Sequence, residues 1–335
     1  MKLISSATKI LHYFPGEMSH HIALYALKIL YKVGILNLVI KKPKFMDSRK
    51  QKDFKENPLN VGIAAGLDKN GDFIDCLAAL GIGSIEVGTV TPKPQKGNSK
   101  PRIFRNKAEK SLLNRLGFNN KGVEYLAERL KQRKTNIIVG SSIGKNFDTP
   151  NERASGDYIF CLERVYEYSD YIAVNISSPN TKDLRDLSNA EYLDVLLRNL
   201  KLKQAELSMI HGYKPIFIKI SPDESFENLK TICNSILGNK LDGVICSNTT
   251  SEHRDKNGSG GLSGAPLKEK AISSLIKIRD FLGPEIPIIA SGGIMTVEDF
   301  IERVDAGADL VQVYTGFIYE GPKLIEDILN HLSEQ

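Results

Sequence analysis

The chain has 335 residues, of which 41% are hydrophobic and 25% are charged, and its formal net charge is +5. This balance is typical of a globular protein with one large domain and a smaller extension, and it excludes a disordered chain. Lysine and arginine are spread along the sequence, so the mild positive charge suits anionic ligands or an anionic surface and does not predict nucleic-acid binding. The four cysteines lie far apart without CxxC or Cys/His spacing, so we expect no metal site, no disulfide framework and a reducing, cytosolic environment.

The first 45 residues are predicted to form a helical segment of their own. Residues 22–40 are mostly apolar, but two lysines, a glycine and an asparagine interrupt the run, so a transmembrane span is not expected. The run also lies too far from the N-terminus, without a small-residue cleavage site, to be a signal peptide. A Pro-Gly pair at 15–16 separates it from a shorter helix around residues 3–12, which predicts a helical hairpin.

The apolar helix of this hairpin leaves two interpretations open. His21, Lys28 and Lys32 fall at spacings of seven and four, so on a helix they line one narrow polar edge while the rest of the girth is apolar. Such a helix either caps the main domain or lies in the membrane interface with its lysines toward the lipid headgroups.

The rest of the chain repeats one pattern of short apolar runs separated by helix-period stretches. A charged linker over residues 41–58 separates the N-terminal segment, residues 1–45, from this main domain, residues 46–335. Its eight runs are rich in Val and Ile and begin at residues 61, 84, 136, 171, 215, 243, 286 and 310. Eight buried strands alternating with helices over about 275 residues predict an α/β fold, a (β/α)8 TIM barrel. An open doubly wound sheet is the alternative, but it usually has fewer strands.

The C-terminal ends of the predicted strands are unusually polar. In a barrel these ends meet on one face, where the catalytic residues lie. The polar or glycine positions there are Lys69, Thr89, Asn175, Ser178, Lys219, Asn248, Thr249, Gly292, Gly293, Tyr314 and Thr315. Solvent exposure of individual strand ends does not account for so many polar residues on one face. We therefore expect an active site there.

Glycine-rich stretches follow the last three predicted strands. "SGGI" and "YTGF" supply small residues and free backbone N–H groups where barrels commonly hold a phosphate, and "GGLSGAPL" at 260–267 predicts a glycine-rich loop. Together they predict a phosphorylated cofactor. Neither a GxGxxG that opens a helix nor a Walker lysine is present, so dinucleotide and ATP binding are disfavoured.

Several long motifs carry a family resemblance from about Leu11 to the end of the chain. They are "AAGLDKNG", "GTVTPKPQKGNSKPRIFR", "NRLGFNNKG", "NISSPNT", "IKISPD", "SNTT" and "GGLSGAPL". The chain resembles the membrane-associated, quinone-linked class of dihydroorotate dehydrogenases. The resemblance implies an FMN-containing barrel that oxidises (S)-dihydroorotate to orotate in pyrimidine (UMP) synthesis and passes electrons to ubiquinone or menaquinone. It also implies a peripheral protein on the cytoplasmic face of the cell (inner) membrane, attached through its N-terminal helices.

The resemblance assigns the catalytic residues. Oxidation of a saturated C–C bond beside a carbonyl requires a base for the acidic proton while hydride leaves the neighbouring carbon. The family pattern implies Ser178 as that base, with Thr181 and Phe118 at the proton exit route and Lys69 beside substrate and flavin. The soluble class is similar over the barrel but carries cysteine at the base position. A serine before proline can instead simply start a turn.

The same resemblance implies three sets of binding residues. The substrate set is Lys69, Asn114, Arg115, Leu116, Gly117, Phe118, Asn175, Asn180, Asn248 and Thr249. The cofactor set is Ala65, Gly66, Leu67, Asp68, Lys69, Thr89, Ser142, Asn175, Lys219, Ser247, Gly264, Gly292, Gly293, Tyr314 and Thr315. At Ser142 the family more often has asparagine, so this contact is expected to run through water. The quinone route is implied at His20, Arg105 and Tyr314.

Three other functions stay open at this point. The first is a soluble-class enzyme that uses fumarate or NAD, which Ser178 and the hairpin disfavour. The second is an FMN barrel acting on uridine in tRNA, which would require a basic face and a cysteine as general acid; neither is evident in the sequence. The third is a non-catalytic binding protein, against which the intact Lys69, Ser178 and asparagine set argue.

Overall fold

Short runs rich in Val and Ile form the strands of the central sheet in the computed structural model, which describes residues 11–36, 40 and 61–334. Eleven strands are present in this part of the chain. They are β1 (Val61–Ile63), β2 (Ser84–Val90), β3 (Ile103–Asn106), β4 (Ser111–Asn114), β5 (Ile138–Ile143), β6 (Tyr171–Asn175), β7 (Ile216–Lys219), β8 (Gly243–Cys246), β9 (Gly261–Gly264), β10 (Ile288–Ser291) and β11 (Leu310–Val313).

Eight of these strands close into a parallel barrel in the order β1-β11-β10-β8-β7-β6-β5-β2. Each coincides with one of the eight predicted runs, so the (β/α)8 prediction is confirmed. Every residue of these strands is buried, because helices cover the outer face and side chains fill the interior. Gly140 shows how tight the interior is, since a Cβ there would lie 2.0 Å from the ring of Tyr171.

Helices lie around the outside of the barrel and pack against their neighbours. They are α1 (Gly16–Lys32), α2 (Ile74–Ala78), α3 (Val123–Lys131), α4 (Ala154–Val165), α5 (Ala190–His211), α6 (Phe226–Gly238), α7 (Lys268–Leu282), α8 (Val297–Asp305), α9 (Thr315–Glu320) and α10 (Pro322–Ser333). Local sequence begins some of them. Thr296 starts α8 with a capping box that it shares with Asp299.

A small antiparallel sheet, β3-β4-β9, was not predicted from the sequence. The expected glycine-rich loop at 260–267 is wrong in part, because Gly261–Gly264 pairs with β4 as strand β9. Gly261 allows this pairing, since a Cβ there would lie 2.0 Å from Thr249 Oγ1. The sheet brings Asn114, at the end of β4, beside the polar barrel rim.

Helix α1 packs against β3 and α2 and buries Leu24 and Leu27. The polar edge of the membrane-interface interpretation divides in the structure. Lys28 Nζ donates to Asp72 O at 2.8 Å and lies over the ring of Phe73, whereas His21 and Lys32 are exposed. The apolar residues Met18, Ile22, Tyr25 and Ile29 are exposed as well. No helix within the described ranges is long and apolar enough to cross a membrane. The first arm of the predicted hairpin, up to residue 10, and the linker at 41–58 lie outside the described residues.

Candidate active site

The C-terminal ends of the barrel strands surround one polar cavity. Twenty of the residues singled out from the sequence line it. They are Ala65, Gly66, Lys69, Thr89, Asn114, Leu116, Gly117, Phe118, Asn175, Ser178, Asn180, Lys219, Ser247, Asn248, Thr249, Gly264, Gly292, Gly293, Tyr314 and Thr315. None of the described residues lining this cavity is His, Cys, Asp or Glu. The hydroxyl and amine groups are therefore the candidates for proton transfer among them.

Four asparagines form two pairs across this cavity. Asn248 Nδ2 donates to Asn175 Oδ1 at 3.2 Å, and Asn175 Nδ2 donates to Thr89 Oγ1 at 2.9 Å. Asn180 Nδ2 donates to Asn114 Oδ1 at 3.0 Å. These bonds fix the amide planes, and each amide keeps donor or acceptor capacity for a ligand.

Ser178 is buried at the edge of this set. Its Oγ accepts the backbone N–H of Asn180 at 3.3 Å, so the serine does start a turn, and it also lines the cavity. Thr181 lies one turn further on, and its buried Oγ1 has no partner within the described part of the chain. Phe118 closes the cavity nearby with a positive φ of 52°, a conformation that non-glycine residues seldom adopt.

The two cavity lysines lie in different electrostatic surroundings. Burial, with a smaller contribution from the charge of Arg102, lowers the pKa of Lys69 to about 8. Lys219 Nζ lies 3.2 Å from Glu86 Oε1 inside the barrel. Tyr171 and Gln312 donate to the other oxygen of Glu86 at 3.1 and 3.0 Å. Lys219 is therefore paired with a buried carboxylate, whereas Lys69 is a buried amine whose charged form is disfavoured.

A second, apolar cavity lies between α1 and the barrel rim. Its volume is about 460 Å³, within the range of small-molecule sites. His20, Arg105 and Tyr314, the predicted quinone route, all line it. Tyr314, Asn114 and Ser263 line both cavities, so the two meet at these three residues.

Burial favours the neutral forms of His20 and Tyr314, two polar groups of the apolar cavity. Burial lowers the pKa of His20 to about 4, with help from the nearby His21 and Lys69. Burial also raises the pKa of Tyr314 to about 12. Arg105 Nη1 donates to His12 O at 3.2 Å, and its burial lowers the pKa of the guanidinium from its usual value. A bound molecule here would meet an apolar surface with isolated hydrogen-bonding groups.

Comparison with known proteins agrees with this arrangement. The family model described as dihydroorotate dehydrogenase matches residues 49–335. The chain belongs to the dihydroorotate dehydrogenase family.

Relatives and solved structures of this family match most of the chain. The "Dihydroorotate dehydrogenase (quinone)" of Shewanella sediminis is 47% identical over 96% of this chain and 97% of its own length. The protein of the same name from Vibrio parahaemolyticus is 51% identical over 81% of this chain and 83% of its own length. The dihydroorotate dehydrogenase of Eimeria tenella, crystallised with ferulenol, is 32% identical and covers 94% of this chain and 90% of its own, with a TM-score of 0.83.

A flavin cofactor follows from membership in this family, and the polar cavity suits one. Gln312 Oε1 is buried at the cavity wall without a partner among the described residues, so an acceptor is available there. Gly292 and Gly293 line the cavity with φ of 101° and 74°, a conformation that glycine adopts readily, so the wall there is backbone. The cavity therefore offers a hydrogen-bond acceptor at Gln312, a backbone surface at the two glycines and a positive charge at Lys219. These groups fit a flavin.

Some predicted family positions lie away from the polar cavity. Asp68 accepts the backbone N–H groups of Asp72 and Phe73 at 2.9 and 2.7 Å, and burial raises its pKa to about 6. Leu67 lines the apolar cavity. Ser142 lies behind the wall, where its Oγ is 2.8 Å from Thr89 Oγ1. The contacts of Leu67, Asp68 and Ser142 with a cofactor stay predictions.

Arg115 and Thr181 also lie away from the polar cavity. The guanidinium of Arg115 contacts Asn257 O and lies over the ring of Phe104. Thr181 is buried one turn beyond Ser178 without lining the cavity. Their parts in substrate binding and proton transfer stay predictions.

Some polar residues in or beside the cavities were not singled out from the sequence. Glu86 pairs with Lys219 inside the barrel, and Gln312 lines the polar cavity. Both lie within the buried strands β2 and β11, where a carboxylate or amide side chain is itself a signal. Ser263 lies within a glycine-rich stretch that gave no indication of a strand. Its Oγ accepts a hydrogen bond from Thr315 Oγ1 at 2.8 Å, at the boundary between the cavities.

Proposed function

We propose that the protein is a quinone-linked dihydroorotate dehydrogenase that oxidises (S)-dihydroorotate to orotate with FMN as its flavin. The observation that carries this proposal is the junction of two cavities at Tyr314, one lined by Ser178 and four asparagines and the other by α1. The "(quinone)" relative from Shewanella sediminis, whose match covers 96% of this chain, supports the same acceptor.

The polar cavity suits a planar ring with N–H groups and carbonyls. The pairs Asn175–Asn248 and Asn114–Asn180 offer donors and acceptors from two sides. Lys69 would hold the substrate carboxylate as a charge-assisted donor. Burial lowers the pKa of Lys69 to about 8, so its charged form is poorly stabilised in the free protein. A bound carboxylate would stabilise that charged form.

Ser178 would take the proton from the carbon beside the substrate carbonyl. Its Oγ already accepts the N–H of Asn180, which holds the hydroxyl in one orientation. Asn248 donates to Ser177 Oγ at 3.1 Å and thereby links this loop to the substrate-binding amides. Thr181, whose Oγ1 is free to accept within the described chain, and Phe118 would form the exit for the proton. Burial of this group excludes competing water.

The cofactor would lie against the strand ends on the other side of the cavity. Bound FMN supplies the hydride acceptor. The residues that would hold it share small size or hydrogen-bonding capacity and line the cavity as Ala65, Gly66, Thr89, Ser247, Gly264, Gly292, Gly293 and Thr315. Lys219 would hold positive charge beside the flavin pyrimidine ring, where reduction adds negative charge.

The apolar cavity would admit the quinone, and residues 1–45 would form its access segment. His20 and Arg105 would donate to quinone oxygens while the apolar lining holds the ring and tail. The exposed apolar face of α1 would lie in the membrane interface on the cytoplasmic side. This geometry requires no transmembrane helix.

An absorption experiment tests the proposal. The purified protein is expected to carry a flavin band that bleaches anaerobically with dihydroorotate and returns with a ubiquinone or menaquinone analogue. Flavin that stays oxidised with dihydroorotate would refute the substrate. Flavin that is reduced but is reoxidised by fumarate and not by quinone would refute the acceptor.

A further inference from the structure

Arg185 joins the loop of Ser178 to the loop of the substrate-binding amides. It lies in a short helical turn, Leu184–Ser188, seven residues after the serine. Its Nε donates to Ser177 O at 3.1 Å, and its Nη2 donates to Thr249 O at 3.1 Å. One planar guanidinium therefore spans the C-terminal ends of β6 and β8.

Asp223 holds this guanidinium from a third loop, after β7. Arg185 Nη1 donates to Asp223 Oδ2 at 2.9 Å, and the side chains are 24% and 7% exposed. Ser251 N and Lys270 Nζ also donate to Asp223, at 2.7 and 2.8 Å. Burial alone would raise the pKa of Asp223, but these hydrogen bonds and that of Thr250 hold it well below its usual range. The carboxylate is thus a permanent partner for Arg185.

The chemistry of the link requires arginine. Its Nε and both Nη groups make bonds in three directions within one plane, to two carbonyls and a carboxylate, which a lysine ammonium cannot reproduce. Arg185 does not line the polar cavity, so it does not touch the substrate directly. The carbonyl of Ser177, which it holds, belongs to the residue directly before Ser178.

We propose that Arg185, oriented by Asp223, is a positioning residue that sets the distance between Ser178 and the substrate held by Asn248 and Thr249. This inference rests on the proposed function and adds a residue to it. Without the guanidinium, the Ser177–Ser178 segment would keep its link through Asn248 but lose its link to Thr249 O and Asp223. Proton removal depends on that geometry, whereas most residues that would hold the flavin follow β1, β2, β10 and β11 and make no contact with Arg185.

Arg185→Ala is the test variant, and Arg133→Gln is the matched control. Arg133 pairs with Asp170 at 3.0 Å with similar burial, but at the N-terminal end of the strands. We expect Arg185→Ala to reduce the rate of flavin reduction at saturating dihydroorotate by about 10²-fold, as misplacement of a reacting group does. Flavin content and reoxidation by quinone should stay as in the wild type. Arg133→Gln should leave the reduction rate unchanged.

Two further measurements separate positioning from a general loss of stability. Guanidinium chloride at a low, non-denaturing concentration should restore part of the rate of Arg185→Ala, and Arg185→Lys should restore less because it cannot bridge both carbonyls. Amide hydrogen exchange should rise in segments 176–181 and 248–251 of Arg185→Ala and nowhere else. A rate equal to that of the wild type, or exchange that rises throughout the barrel, would overturn the inference.

The outcomes also distinguish this inference from the proposed function. If wild-type flavin is not reduced by dihydroorotate, the proposed substrate is wrong, while hydrogen exchange still reports whether Arg185 fixes the two segments. If the wild type is active and Arg185→Ala is equally active with unchanged exchange, the proposed function stands and the positioning inference fails.

Discussion

The two cavities differ in what fixes their shape. The polar cavity is built from strand ends that barrel closure holds in register, and its asparagines bond one another directly. The apolar cavity is bounded on one side by α1, which packs through Leu24 and Leu27. Chemistry that needs sub-ångström placement thus lies on the rigid scaffold, and the site for a lipid-soluble molecule lies under an added helix.

The two cavities share a wall at Tyr314, so mutations on either side of it should affect different steps of the reaction. Tyr314 lines both cavities, and burial keeps its hydroxyl protonated by raising its pKa to about 12. Changes on the strand-end side should affect reduction of the flavin, and changes on the α1 side should affect its reoxidation. The predictions below test this division, beginning with the largest expected effect.

Removal of the proposed base should slow flavin reduction and leave flavin reoxidation unchanged. Ser178→Ala is expected to slow flavin reduction by dihydroorotate by about 10²- to 10⁴-fold, the usual contribution of a positioned base. Reoxidation of chemically reduced flavin by quinone should be unchanged. Stopped-flow absorbance measures both steps.

Ser177→Ala is the matched control for this variant. It removes the neighbouring hydroxyl, which accepts from Asn248, and keeps Ser178. Its effect should be much smaller than that of Ser178→Ala. If both variants lose the same rate, Ser178 acts through loop structure and is not the base.

The buried amine of Lys69 should destabilise the folded protein. The folded state lowers its pKa to about 8, so between pH 8 and about 10.5 the unfolded state binds more protons and wild-type stability rises with pH. Lys69→Met should abolish this rise and, at pH 7, increase the free energy of unfolding by roughly 3 kcal/mol. Urea unfolding with excess FMN measures the effect. The exposed Lys121, paired with Asp72, provides the control Lys121→Met, which should not stabilise.

The sequence predicted the barrel well because its signals are local. Each buried run, such as the one at 84, became a strand, and burial on both faces requires continuous apolar residues. The β3-β4-β9 sheet was missed because its pairing joins residues 111–114 to 261–264, a contact that no local periodicity reports. The glycines of this stretch indicated a loop, but Gly261 allows the strand to pack closely against Thr249.

The polar site was predicted from strand ends and family motifs, but its supports were not. Asp223 closes the family motif "IKISPD", but the motif alone does not show what it contacts, and Arg185 lies in a polar stretch where a charge is ordinary. Their importance arises only when three loops meet at the barrel rim. The orientation of α1 was missed for a similar reason, since Lys28 finds a backbone carbonyl of the barrel that a helical wheel cannot include.

Filling the apolar cavity should impair only the quinone step. Ala23 lines this cavity from α1, so Ala23→Trp is expected to raise the KM for quinone by about tenfold, equal to about 1.4 kcal/mol of binding. Flavin reduction by dihydroorotate should not change. Ile29, on the exposed face of the same helix, provides the control Ile29→Trp, which should behave as the wild type in detergent. Slower flavin reduction in Ala23→Trp would mean that the two cavities are not separable.

His20 should produce the smallest effect, visible as a pH dependence of stability. Because the folded state lowers its pKa to about 4, the unfolded state binds more protons between pH 4 and about 6.5, and stability falls as pH decreases through this window. At pH 6 His20→Gln should recover about 1 kcal/mol relative to the wild type, and at pH 7.5 the two should differ little from this cause. The exposed neighbour variant His21→Gln should keep the wild-type decline. Quinone reoxidation should stay flat from pH 5.5 to 8 if His20 is neutral throughout, and a step near pH 6.5 would show that the histidine is solvated and that α1 does not seal the cavity.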